Sequence, residues 1–191
     1  MALAVLTVLG AAGITEAQST VASRKHGYTV VPPAGWKSRH TPGGEVDLAL
    51  MSPRQNRGGQ KDAFIENLTM IVKPKSDGQN ARRAANNGVT SLRRRLKDFR
   101  IVEQGRFRVD SGADAYRIVY EGMLDEQPVR NTAYAIIGDH IVLTITGSAT
   151  AKSHGDYTNA FDRAVTSVMF SQTDSSDQAR SIRPDTPDPR R

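Results

Sequence analysis

Cysteine is absent from all 191 residues. That one gap excludes disulfide frameworks, iron–sulfur clusters, thiolate zinc sites, cysteine nucleophiles and lipid attachment at a cysteine. Long apolar runs are missing too: the longest uncharged apolar stretch, Ala2–Ile14, has thirteen residues, short of the roughly 20 that a spanning helix needs. Acid is in deficit, with 20 Asp+Glu against 26 Lys+Arg and a formal net charge of +6. What is present, 38% hydrophobic and 24% charged residues, is ordinary globular usage in a length that suits one domain with tails.

The Ala2–Ile14 run is followed by Thr15-Glu16-Ala17. An apolar core of this length before small residues is the secretory pattern, which predicts a signal peptide over 1–17, cleavage after Ala17, and an exported product, periplasmic or secreted. The other end, Ser171 to Arg191, holds one aliphatic residue, Ile182, and three prolines. Such a segment has too little apolar surface to offset chain entropy and predicts a disordered tail over 171–191. Between them lies a folded domain over 26–170, interrupted by a polar loop, Ser52–Asp62, that carries Gly58-Gly59.

Strand-like runs occur at Tyr28–Val31, Val46–Met51, Asn67–Val72, Arg100–Val109, Ala113–Glu121, Gln127–Ile137 and His140–Gly147. A helix is expected over Asn80–Lys97, where Ala81, Ala85, Val89, Leu92 and Leu96 recur at helical spacing. A second helix follows Ser153-His154-Gly155-Asp156, which resembles a capping box, with Tyr157, Phe161, Ala164, Val165 and Val168 on one face. Gly138-Asp139 reads as a tight hairpin link. The fold class is therefore α+β: an antiparallel sheet of about six strands flanked by helices.

The order Tyr28-Thr-Val-Val-Pro-Pro-Ala-Gly-Trp36, a mid-chain helix, Gly112-Ala-Asp-Ala115 leading into Tyr116–Tyr120, then Tyr157-x3-Phe161 and Ser167-Val-Met-Phe170 resembles the PsbP-like superfamily, whose members include photosystem II PsbP, the Ran-binding factor Mog and exported bacterial proteins of the DcrB and LpqN type. The resemblance spans about Tyr28 to Phe170. It implies an α/β/α sandwich and a family used mainly for protein binding, without an established catalytic centre and with no cofactor.

The strongest anomaly in the residues themselves is charge. Between Gln79 and Arg108 stand nine basic residues against Asp98 and Glu103, a local surplus larger than that of the whole chain. On one continuous helix Arg82, Arg93 and Lys97 share an outward side, with Arg83 and Arg94 in the next row. On the following strand Arg106 and Arg108 alternate with Phe107 and Val109. These seven residues, Arg82, Arg83, Arg93, Arg94, Lys97, Arg106 and Arg108, are the expected binding surface. Its partner is an acidic protein or an anionic envelope component, and peripheral membrane contact is compatible with it. Nucleic acid is disfavoured, because the aromatics of this window, Phe99 and Phe107, are committed to the core.

Catalytic signals are weak. The four histidines, His26, His40, His140 and His154, form no metal-ligand spacing and each falls near an expected turn or terminus, so all four are read as surface residues and no metal is expected. A Ser148, His140, Asp139 set lacks a nucleophile elbow. The chain is accordingly read as a non-enzyme. Asp125-Glu126 reads as an exposed hairpin turn. Trp36 is expected in the core, the alternative being that it lines the pocket of a small-ligand or lipid carrier.

Overall fold

The computed structural model describes residues 19–41, 43–53, 56–57, 60–61 and 64–171. The expected signal peptide and nearly all of the expected tail lie outside these residues. In chain order the elements are β1 (Val21–Ser23), β2 (Tyr28–Val30), β3 (Lys37–His40), β4 (Leu48–Met51), β5 (Asn56–Arg57), β6 (Gln60–Lys61), β7 (Asn67–Pro74) and α1 (Ala81–Arg93). The second half runs β8 (Lys97–Phe107), β9 (Ala115–Leu124), β10 (Gln127–Ile137), β11 (Ile141–Thr150), α2 (His154–Thr166) and β12 (Met169–Phe170). The main sheet is antiparallel with order β3-β4-β7-β11-β10-β9-β8, and a small sheet has order β1-β2-β12. Seven strands thus replace the expected six. The added edge strand, Lys37–His40, is exposed throughout and carries no apolar alternation that would betray it. The loop expected over 52–62 contains the short β5–β6 hairpin.

Alternation along the central strands divides the interior into two layers. Tyr134, Ile136, Leu143 and Ile145 join Leu48, Leu50, Leu68 and Met70 beneath Phe161, Ala164 and Val165 of α2. Their neighbours Ala133, Ala135 and Val142 turn the other way, with Ile118 and Tyr120, against Ala84, Ala85 and Val89 of α1. Alanine meets alanine on that side, which lets α1 lie close to the sheet. This is the helix-on-each-face arrangement expected from the sequence.

Helix α1 is capped from two directions. The Asn80 side chain accepts from Arg83 N at 2.9 Å, and Ala81 N donates to Asp114 Oδ2 at 2.9 Å, satisfying two otherwise orphaned amides. At its other end the helix stops at Arg93, four residues before the expected Lys97. Arg95 N bonds back to the Leu92 carbonyl, the chain reverses, and Leu96 comes to rest over Gly122, where a Cβ would lie 2.9 Å from both Leu96 Cβ and the Lys97 carbonyl. Lys97 therefore opens a strand, opposite Met123.

Helix α2 departs from its expected cap. Ser153 occupies the N-cap position with no side-chain capping bond, because its hydroxyl is used elsewhere: it donates to the buried Glu66 Oε1 at 2.8 Å and lies 2.7 Å from Thr150 Oγ1. The β10–β11 link is also displaced by one residue. Gly138 N bonds to the Ile141 carbonyl at 2.9 Å, so Asp139 and His140 occupy the turn. In contrast, Asp125 and Glu126 form the expected two-residue hairpin, both at positive φ (44° and 66°) as a primed turn requires.

The tightest packing joins α2 to β11. A Cβ at Gly147 would stand 2.7 Å from Phe161 Cδ2, and Phe161 is fully buried between Tyr157, His154 and the half-buried Trp36. Gly147→Ala should lower stability by about 1–3 kcal/mol, the usual cost of overpacking, read as a fall in the urea midpoint at unchanged slope. Phe161→Leu in the same chain should recover part of the loss; an unaltered midpoint for Gly147→Ala would contradict the contact.

Candidate functional site

The seven expected basic residues are all exposed, but they do not form one helix face. Arg82 and Arg83 lie in the first turn of α1, Arg93 in its last, and Arg94 is the C-cap. Lys97 begins β8, Arg106 lies near the end of that strand, and Arg108 lies just beyond it. The helix spans about 20 Å by its rise per residue, so the set divides into two groups. Arg93, Arg94 and Lys97, joined by the exposed Arg95, surround the turn from α1 to β8. Arg82 and Arg83 sit at the opposite end of the helix, beside a shallow depression of about 290 Å³ lined with Asn80, Asn86 and Asn87. Arg106 and Arg108 keep the alternation with Phe107 and Val109 that their spacing predicts. Among the described residues none of the seven takes part in a salt bridge, whereas Arg100, Arg117 and Arg130 all do.

Those three arginines belong to a polar network that sequence reasoning missed. Helix α2 lies over β10 and β11, and the sheet face beside it, over β8 and β9, carries charged side chains. Glu121 accepts from Arg100 Nε at 2.8 Å and also pairs with Arg130. Arg117 bridges Glu103 and Asp162, the latter 3.2 Å from Nη1, and Asp162 Oδ1 accepts from Tyr134 Oη at 2.6 Å. Burial works against ionising Glu121, but the bonds from Arg130 and Arg100 outweigh it and hold the carboxyl below the usual range. For Tyr134 burial and the Asp162 carboxylate act together to push the phenol up. Three cations thus face three carboxylates over Val119. The network is charge-balanced and gives a polar cover to the face of β8 and β9 that lies beside α2 and opposite α1. A signal existed in the sequence: Arg117, Glu121 and Arg130 occupy inward-alternating positions of strands otherwise rich in apolar residues.

His154 corrects the expectation of surface histidines. It is 5% exposed, with Nε2 2.9 Å from Thr132 Oγ1 and Nδ1 3.3 Å from Thr158 Oγ1. Thr158 already donates its proton to the His154 carbonyl, so the bonding assigns the proton to Nδ1 and makes Nε2 the acceptor from Thr132. His26 is half-buried, its Nε2 3.6 Å from Asp47 Oδ1, while Asp47 Oδ2 accepts from the buried Tyr28 hydroxyl at 2.7 Å. His26 and Asp47 border a cleft of about 470 Å³ with Lys25, His40 and Lys73.

No catalytic constellation is assembled from the residues that the sequence offered. Ser148 lies towards the end of β11 and His140 in the turn before that strand, eight residues or about 26 Å apart at the strand rise. Among the described residues no cluster of three or more His, Asp or Glu is placed to hold a metal ion, and no helix is long and apolar enough to cross a membrane. Trp36 packs edge-on against Tyr157 and Phe161, with centroids 6.1 Å away in each case, as a lid on the α2 core.

No family model matches this chain, and no curated protein sequence matches it. Solved structures do. Cyanobacterial PsbP from Synechocystis superposes with a TM-score of 0.59 at 17% identity, covering 86% of this chain and 98% of that one. LpqN, involved in cell envelope biogenesis of Mycobacterium tuberculosis, gives 0.62 at 9% identity over 80% and 90% of the two chains. A protein of unknown function from Pseudomonas aeruginosa gives 0.50 at 10% identity over 89% and 98%. The fold is PsbP-like, as the sequence resemblance implied.

The buried imidazole makes stability depend on pH. Burial, reinforced by the Arg130 and Arg117 guanidiniums and only partly offset by Asp162 and Glu121, holds His154 below its ordinary value of 6.5. The unfolded chain therefore binds a proton near that pH while the folded chain resists it, so stability should fall as pH drops below 6.5 towards the lower folded value. His154→Gln should flatten this segment of the stability curve, measured by urea unfolding at a series of pH values. An identical slope in the variant would show that the imidazole does not carry the effect.

Proposed function

We propose that this chain is an exported, non-enzymatic interaction module whose exposed basic residues hold an acidic protein or an anionic component of the cell envelope. The observation that carries this reading is the contrast among its arginines. Arg100, Arg117 and Arg130 are neutralised by carboxylates, while Arg82, Arg83, Arg93, Arg94, Lys97, Arg106 and Arg108 stand exposed without a salt bridge among the described residues. Leaving so many like charges bare is unfavourable in the isolated chain and becomes favourable against an anion, where each basic residue near an anionic surface adds about 1 kcal/mol. The densest part is Arg93, Arg94 and Lys97, gathered by the turn that ends α1. Export rests on the leader pattern of 1–17, and an envelope setting is in keeping with the shared fold of LpqN. Trp36 gives the carrier reading no support, since its ring is occupied by Tyr157 and Phe161 and neither described cleft includes it.

The test reverses charge where it is densest. Arg93→Glu, Arg94→Glu and Lys97→Glu together should weaken retention on phosphatidylglycerol-containing vesicles or capture from an envelope extract by about a hundredfold at low salt. The wild-type signal should itself decline steeply as salt is raised, while the melting temperature changes little because all three side chains are exposed. Equal retention of variant and wild type would overturn the reading.

A further inference from the structure

Strand β8 closes the main sheet on one side, and among the described residues nothing pairs with its outer edge. Four large hydrophobic side chains are exposed in the described structure, and two of them, Ile101 at 45% and Val102 at 46%, are adjacent in the middle of this strand. A bare edge with aliphatic side chains at its centre is a template for another strand.

The sequence at that point specifies which strand. Arg100-Ile101-Val102-Glu103 is its own antiparallel complement: against a second copy, Arg100 falls opposite Glu103 and Ile101 opposite Val102. A regular strand would spoil this match, because residues three apart point to opposite faces. β8 is not regular. Its register slips between Ile101, opposite Tyr120, and Glu103, opposite Val119. The inserted residue brings Arg100 and Glu103 to the same face, where Arg100 meets Glu121 and Glu103 meets Arg117. Both side chains retain ample exposure, 73% for Arg100 and 62% for Glu103.

We propose that β8 is a self-recognition edge, pairing antiparallel with β8 of a second copy about a twofold axis normal to the sheet. The interface is isologous: two Arg100–Glu103 pairs flank an Ile101–Val102 centre, within the range of favourable cross-strand pairs. The ladder stays short. At its near end Asp98, at φ 51°, breaks the extended backbone, and a second register slip between Lys97 and Arg100 takes the strand out of line there. The same operation sets both copies of α1 on one side of a continuous sheet, so their free basic residues would meet an anionic surface together, with the gain that bivalency gives. The proposed envelope binding does not require this pairing, and either can fail alone.

Sedimentation velocity of the wild type over about a hundredfold range of concentration tests mass action directly. The expected result is a shift from monomer to dimer mass. Arg100→Glu and Glu103→Arg should each remain monomeric, since each sets like charges opposite one another, and an equimolar mixture of the two should regain the dimer, because reversed charges then match across the axis. Circular dichroism melting checks that each variant folds; should either not, Val102→Lys, which touches no ion pair, replaces it and should abolish the dimer. A wild type that stays monomeric, a single variant that dimerises like the wild type, or a mixture that stays monomeric would overturn the proposal.

Discussion

The absence of a side chain at Gly147 is the constraint on which the structure turns. Phe161 occupies the space that a Cβ would need, and that contact sets how near α2 lies to β11. Trp36, Tyr157 and His154 then arrange themselves edge-on or stacked around the same ring. Because α2 is held over β10 and β11, the same face of the sheet beyond it is left without a helix, and the residues there must make a polar surface. The ion-pair network of Arg100, Glu103, Arg117, Glu121, Arg130 and Asp162 is thus a consequence of where one phenylalanine sits. Asp162 follows Phe161 directly in the chain, which is why the helix that fills the core also supplies a carboxylate to its border.

The two faces of the sheet solve the covering problem differently. On the α1 side small residues, Ala84 and Ala85 against Ala133 and Ala135, allow close contact but bury little area per residue. On the α2 side large rings fill a thicker layer. Burial per residue scales with apolar area, so the α2 layer carries more of the stabilisation. The α1 layer is thin and its outer face is free to hold charge. A helix whose inward face is mostly alanine can spend its remaining positions on arginine without losing its seat, and α1 does so.

Much of this architecture was legible in the chain. Period-two alternation marked β9, β10 and β11, and helical spacing marked both helices, since these elements bury a face and must declare it. What escaped was whatever depends on partners distant in sequence. Lys37–His40 is an edge strand with no buried residue, defined only by hydrogen bonds to β4. Ser153 looked like a helix cap because a serine beside an acidic fourth position is local information, whereas its hydroxyl is claimed by Glu66, 87 residues away. His154 looked like a surface residue for the same reason, its buried partner Thr132 being on β10, away from the helix. The helix end at Arg93 was hidden because Arg94, Arg95 and Leu96 are sound helix formers; the space over Gly122, not propensity, ends it. The candidate basic residues were all visible as a run of charge, but their division around the α1–β8 turn followed from that same misplaced boundary.

The small sheet has a mechanical meaning. β1 and β12 flank β2 and both pair with it antiparallel, so they run parallel to each other. The chain enters at the start of β1 and leaves at the end of β12, on opposite ends of one narrow ribbon, with Ser171 N bonded to the Gly27 carbonyl at 2.8 Å. Tension drawn between the two ends runs lengthwise along these strands and loads their hydrogen bonds together, in shear, before it reaches either helix.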